Sequence, residues 1–186
     1  YGTMISHDGS TYQGQWHMGK QHGEGKFCYP NGDVCNGNWE NGDLEGYGTM
    51  SYYDGSTHQG QWHKGKRHGE GKFCYPNGDE YNGNWEKDNF EGYGTMISHD
   101  GSTYQGQWHK GKRHGEGKFC HSDGGEYNGN WANGNIEGYG TMNYQDGATY
   151  QGQWHKGKRH GEGIYCQSDG AESNGNWENG NIEGYG

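Results

Sequence analysis

Large aromatic side chains recur along this chain at a fixed interval, set among glycines and polar residues that alternate one by one. Trp16, Trp39, Trp62, Trp85, Trp108, Trp131, Trp154 and Trp177 each follow the last by 23 residues. Of 41 glycines, 40 fall in five columns of the same period, represented by Gly106, Gly111, Gly115, Gly117 and Gly124. Gly125 alone lies outside them, and Asp88 is the one position where a column loses its glycine. Such a period predicts a tandem array whose units bury one another. Within a unit the alternation has the period of a β-strand with one covered and one solvated face. Lys26 to Tyr29 runs into Pro30, Asn31 and Gly32 and leaves through Asp33, Val34 and Cys35, which suits a type I turn closed by a glycine bulge. That loop sets Tyr29 opposite Asp33, Phe27 opposite Cys35, Gly25 opposite Gly37 and Gly23 opposite Trp39. Most units carry tyrosine at the Cys35 position (Tyr12, Tyr81, Tyr104, Tyr127, Tyr150), so aromatics and glycines share one face. Gln105, Gln107, Asn128, Asn130 and Lys118 share the other.

Composition changes this picture in one respect. With 26% hydrophobic residues and a mean hydropathy of -1.44, the chain lacks the apolar surface for a two-layer core. Order must come from aromatics stacking on their own copies in neighbouring repeats. The expected fold is all-β: an elongated, single-layer, twisted antiparallel sheet of tandem β-hairpins, roughly sixteen strands at about 4.8 Å spacing. The expected organisation is one array over residues 1–186: a partial repeat 1–11, full repeats 12–34, 35–57, 58–80, 81–103, 104–126, 127–149 and 150–172, and a partial repeat 173–186. Because both ends cut through a repeat, a segment of a longer protein is expected.

The second turn of the unit differs between alternate repeats, giving a true period of 46 residues. Basic loops (HMGKQHGEG once, HKGKRHGEG three times) alternate with ENGDLEGYG, EKDNFEGYG, ANGNIEGYG and ENGNIEGYG, so neighbouring loops are expected to neutralise one another. A formal charge of -10 leaves no basic footprint for nucleic acid. No apolar run is long enough for a membrane span or a signal-peptide core, and the expected location is intracellular, in the cytoplasm, a cytoskeletal or ciliary structure, or the membrane cortex. Cys28, Cys74, Cys120 and Cys166 stand 46 residues apart, beyond disulfide reach across two hairpins, and Cys35 points to the face opposite Cys28.

The run YQGQWHKGKRHGEGKF, followed by an Asn-Gly or Asp-Gly turn, closely resembles the MORN (membrane occupation and recognition nexus) repeat. The resemblance covers all 186 residues, and Cys35, His58, Ser173 and Asp88 are its local departures. It implies a β-hairpin array used for binding or assembly, in cytoskeletal and ciliary scaffolds or membrane junctions. Some arrays are regulatory segments of larger enzymes such as phosphatidylinositol phosphate kinases, and the family has been linked to phosphoinositides. The repeat itself carries no catalytic residues.

The chemistry of the residues points the same way. Acids and histidines repeat along the chain instead of converging once in a cleft, so no enzyme and no cofactor is expected. Paired histidines such as His109 and His114 fall short of the ligands a zinc site needs. Gly115-Glu116-Gly117 has the look of a phosphate loop without the helix that would complete one. The principal expected surface is the aromatic face, lined by Trp62, Trp85, Trp108, Trp131, Trp154, Tyr81, Tyr104, Tyr127, Phe73 and Phe119. A partner helix, or a second copy of the chain, would cover it. The secondary candidate is anionic lipid, held by Lys64, Lys66, Arg67, Lys110, Lys112, Arg113, Lys156, Lys158 and Arg159. Aromatic cages for quaternary ammonium or glycan ligands form a third class, which the 23-residue spacing and HGEG loops fit less well.

Overall fold

A computed structural model describes residues 1–183, so the last three positions of the closing partial repeat lie outside the described residues. Among the described residues there are 17 strands and no helix. The chain divides into two compact units, Tyr1–Glu91 and Gly92–Gly186. The first contains β1 (Gly2–Ile5), β2 (Thr11–His17), β3 (Lys20–Cys28), β4 (Val34–Glu40), β5 (Asp43–Ser51), β6 (Thr57–His63), β7 (Lys66–Cys74) and β8 (Glu80–Glu86). The boundary falls within β9 (Asn89–Ile97). The second unit continues with β10 (Thr103–His109), β11 (Lys112–Cys120), β12 (Glu126–Ala132), β13 (Asn135–Asn143), β14 (Thr149–His155), β15 (Lys158–Cys166), β16 (Glu172–Glu178) and β17 (Asn181–Glu183).

Within each unit the strands pair antiparallel with their neighbours in the chain, so each unit is a single layer without crossovers. The register is the one the turn chemistry predicts: Gly23 opposite Trp39, Gly25 opposite Gly37, Phe27 opposite Cys35. The Tyr29 amide donates to the Asp33 carbonyl at 2.8 Å, and Gly32 closes the loop in the left-handed region at φ 95°.

The second turn of each unit is a two-residue hairpin with both residues at positive φ, as Lys110 (48°) and Gly111 (76°) show. Asp88, where the glycine is missing, still holds φ 71°. Its carboxylate accepts from the Arg67 amide at 3.0 Å and from Arg67 Nε at 3.2 Å, a clasp that offsets the strain. A bulge follows on the same strands: Gly106 faces Gly117, yet Gln107 faces His114, leaving Gly115 and Glu116 as the inserted residues.

A single layer has no second sheet to bury its rings. The rings lie instead on backbone that carries no side chain. Tyr104 reaches along its own strand over Gly106 and across to Gly117, and its hydroxyl donates to the Gln107 carbonyl at 2.9 Å. The indole of Trp131 donates to the Gly117 carbonyl at 3.1 Å. Tyr104 is then held edge-on between Trp108 and Trp131, with ring centroids 5.1 and 5.2 Å away, and Tyr127 and Tyr150 repeat the arrangement as far as Trp177. Each edge-to-face pair contributes about 0.5–1.5 kcal/mol beyond its buried area.

This packing predicts unequal glycine substitutions. At Gly106 an added methyl would sit 2.5 Å from Gly117 Cα and 2.6 Å from the Glu116 carbonyl, which are backbone atoms held by the ladder. Gly106→Ala is expected to destabilise by about 3 kcal/mol. At Gly111 nothing lies within 4 Å, and Gly111→Ala should cost only the left-handed strain, about 1 kcal/mol. Urea unfolding of the two variants checks this; equal midpoints would count against the packing account.

Candidate functional site

The aromatic face is core rather than surface. Trp62, Trp85, Trp108, Trp131, Trp154, Tyr81, Tyr104, Tyr127 and Phe73 are all buried, none more than 8% exposed, and Phe119 is half-buried. The expected groove for a partner helix is therefore filled by the chain itself, because the glycines let each ring settle onto the sheet. Burial raises the phenols accordingly, Tyr104 to about 12.

The expected lipid-binding set divides in two. Lys64, Lys66, Lys110, Lys112, Lys156 and Lys158 are exposed at the turns. Arg67, Arg113 and Arg159 instead turn inward and lie over the rings: Arg67 is 4.4 Å from the Trp85 ring centre, Arg113 4.7 Å from Phe119, and Arg159 4.3 Å from Trp177. Strand alternation is the reason, since Arg67 pairs across the hairpin with Trp62 and shares its face. Two of the lysine loops are also clasped through their backbone. Glu45 accepts from the Lys64 amide at 2.8 Å and contacts the His63 ring at 3.1 Å, and these two partners hold its carboxyl below the usual range. Glu137 is held in the same way by the Lys156 amide and His155.

The histidine pairs sit side by side at their turns, with His17 and His22 at 5.4 Å and His155 and His160 at 5.6 Å between ring centres. Among the described residues no group of three or more His, Cys, Asp or Glu is arranged to hold a metal. The cysteines are free, and burial pushes the Cys35 thiol up to about 12.

What remains is the polar face, and one column on it was not read from the sequence. The residue between the paired glycines of each repeat points away from the rings, and it alternates between tyrosine and glutamate. Tyr47, Tyr93 and Tyr139 are 58%, 54% and 54% exposed, in contrast to the buried tyrosines of the opposite face. Each follows a left-handed bulge glycine (Gly46, Gly92, Gly138), as Glu24, Glu70, Glu116 and Glu162 follow Gly23, Gly69, Gly115 and Gly161. Between a glutamate and the next tyrosine the sheet surface is recessed. In the first unit a trough of about 410 Å³ runs from Glu24 to Tyr47, with Asn36, Asn38 and Thr49 on its walls and Gly25, Gly37 and Gly48 beneath. In the second unit a trough of about 350 Å³ runs from Glu116 to Tyr139 past Asn128, Asn130 and Thr141. Acid, side-chain amides and an exposed phenol ring over bare backbone suit the recognition of an extended polar chain. The sequence signal was present as alternating GEG and GYG.

Antiparallel two-stranded units in tandem define a β-hairpin repeat protein. A family model for the MORN repeat matches residues 12–34, 35–57, 58–80, 81–103, 104–126, 127–149, 150–172 and 174–186, and the chain belongs to that family. No curated protein matches it in sequence. Among solved structures it is similar to the TCP domain of SAS-4 (dCPAP) of Drosophila melanogaster, in complex with a proline-rich motif of Ana2 (dSTIL). That domain is 14% identical, with 92% of this chain and 87% of that chain covered at a TM-score of 0.51, a likeness of fold alone. The TCP10 domain of Danio rerio CPAP in complex with a STIL peptide (12% identity, 94% and 93% covered, TM-score 0.34) scores too low to carry an argument. So does a virginiamycin B lyase from Staphylococcus aureus (11%, 95% and 55%, 0.20).

One core position departs from the pattern in a testable way. His58 takes the place of a tyrosine between Trp62 and Trp85, each 5.0 Å away, and neither ring nitrogen has a hydrogen-bond partner. Burial, reinforced by Arg67, lowers its pKa to about 4. The folded chain thus takes up this proton less readily than the unfolded one. The contribution to stability is full above about pH 6.5 and falls as pH drops toward about 4, by up to about 3 kcal/mol in all. His58→Tyr should restore the hydroxyl bond to the backbone, stabilise the first unit by about 1 kcal/mol at neutral pH, and flatten its acid dependence. Urea midpoints of both chains between pH 7 and pH 4 test this; parallel curves would exclude it.

Proposed function

We propose that this chain is a non-enzymatic scaffold that holds a protein partner against the polar face of its sheet, at the exposed tyrosines. The observation that carries the reading is the contrast between faces: one set of rings is covered by the chain itself, whereas Tyr47, Tyr93 and Tyr139 stand exposed beside polar troughs. Membership of the MORN repeat family supports a binding or assembly role. The SAS-4 domain, which shares the fold, is in complex with a proline-rich motif, so a protein segment as occupant has a parallel in a similar sheet. The repetition of acids and histidines along the chain, without convergence at one place, favours binding over catalysis. The setting we assign is an intracellular assembly of cytoskeletal or ciliary type, on family membership. Membrane contact is the weaker reading, since three of its nine basic residues lie over rings and Glu45 and Glu137 clasp two of the loops.

The test is selection of displayed random peptides on the native chain and on the variant Tyr47→Ser/Tyr93→Ser/Tyr139→Ser. Because the three rings are exposed, the variant should keep its fold, with unchanged tryptophan fluorescence. Peptides enriched on the native chain are expected to lose at least about tenfold in affinity on the variant. Peptides that bind both chains alike, or no enrichment on either, would overturn the reading. Sedimentation of the chain with phosphoinositide vesicles, abolished by replacing Lys110 and Lys112 with glutamine, would put the membrane reading in its place.

A further inference from the structure

The spacing of the exposed column specifies its occupant further. In the first unit Tyr1, Glu24, Tyr47 and Glu70 follow one another at 23-residue intervals, and in the second Tyr93, Glu116, Tyr139 and Glu162 do the same. Glu24, Tyr47 and Glu70 stand on β3, β5 and β7, and Tyr93, Glu116, Tyr139 and Glu162 on β9, β11, β13 and β15. Successive members are therefore two strands apart, about 9.6 Å. A segment crossing the strands along this column meets a phenol ring and a carboxylate in turn at that interval.

Backbone forms differ in how well they match it. A polyproline II helix has three residues per turn and a rise of about 3.1 Å, so the same side returns every 9.3 Å or so. A β-strand returns the same side at about 6.7 Å, and a helical heptad advances about 10.5 Å and drifts further with each step. A helix would also need a continuous apolar stripe, and this face offers isolated rings between polar residues. Polyproline II leaves its carbonyls unbonded, which suits the amides of Asn36, Asn38 and Asn128 in the troughs; Asn130 already donates to the Tyr139 carbonyl at 3.1 Å.

Charge sets the second feature. Lys72 is paired with Glu80 at 2.6 Å and Lys118 with Glu126 at 2.9 Å. Glu24, Glu70, Glu116 and Glu162 are exposed and have no ion-pair partner among the described residues. The chain as a whole carries a formal charge of -10. A cation in the occupant is the complement.

We infer that the polar face takes a polyproline II segment in which proline rests on a column tyrosine and arginine or lysine, three residues away, meets the neighbouring glutamate. This rests on the scaffold reading above and adds to it the conformation, charge and register of the bound segment.

Synthetic peptides test it on the whole chain by calorimetry and by NMR shifts at Tyr47 and Tyr139. One peptide carries a six-residue repeat with proline and arginine three apart. A second has the same composition with each arginine moved by one position, and a third has glutamate for arginine. The in-register peptide is expected to bind at least about tenfold more tightly than either. Its affinity should fall with salt, and it should drop to the level of the shifted peptide on Glu24→Gln/Glu70→Gln/Glu116→Gln/Glu162→Gln. Equal binding of the in-register and shifted peptides, with shifts at both tyrosines, overturns the inference and leaves the scaffold reading standing. The inference also fails if none of the three binds while displayed peptides do. Binding without change at either tyrosine overturns both.

Discussion

The structure depends on one contact, an aromatic ring packed on backbone that has no side chain. A single-layer sheet cannot bury apolar groups against a second layer, and at 26% hydrophobic content this chain has few to bury. Paired glycines such as Gly106 and Gly117 solve both problems at once. They bring two strands together without Cβ atoms and open a floor on which Tyr104 rests. The tryptophan that closes each such site comes from the following repeat, as Trp131 does for Tyr104. Burial is thus complete only when units stand in sequence, the physical reason for the repetition.

The 46-residue period follows from what lies above the rings. Only the basic turns contribute an arginine, and Arg113 covers Tyr104, Phe119 and Trp131 together. The acidic turns contribute apolar or aromatic residues instead, such as Leu44, which is buried, and Phe90, which stacks on Tyr81 at 3.7 Å. Where the basic turn carries arginine, alternate repeats complete the same aromatic layer by different means, a guanidinium in one and an apolar side chain in the next; the first basic turn has Gln21 at that position. The chain's charge pattern is partly a packing pattern. This is also why the arginines are poor candidates for lipid headgroups: swinging one outward would uncover rings.

Local features of the fold were legible in the sequence because they are set by local chemistry. Pro30, Asn31 and Gly32 define a turn, the turn defines a register, and the register places Phe27 opposite Cys35 without reference to anything distant. The degree of burial was less legible. Alternation assigns Trp and Tyr to one face, but says nothing about what covers that face. The covering groups come from a ring's own reach over glycine and from a tryptophan 27 residues on, as between Tyr104 and Trp131. The direction of Arg67 could have been counted from Trp62 across the hairpin. A run of lysine and arginine invites reading as one patch, though adjacent strand residues point to opposite faces. The column of Tyr47 and Glu70 was obscured in the same way, because a residue between two glycines draws attention to the glycines.

Columns differ in how much variation they accept within this one chain, and burial alone does not set the order: the tryptophan column has no departure, whereas another buried column does. The buried column that begins each full repeat reads Tyr12, Cys35, His58, Tyr81, Tyr104, Tyr127 and Tyr150, and so tolerates a thiol and an imidazole even where the ring's hydroxyl bond is lost. The exposed column reads Tyr1, Glu24, Tyr47, Glu70, Tyr93, Glu116, Tyr139 and Glu162 with no departure. Recent duplication of a 46-residue unit would preserve both columns alike, yet only the buried one has changed. Exposed positions away from contacts ordinarily tolerate substitution within about 0.5 kcal/mol. A solvent-facing column that holds its alternation as strictly as the tryptophans hold theirs is what the partner site proposed above would require.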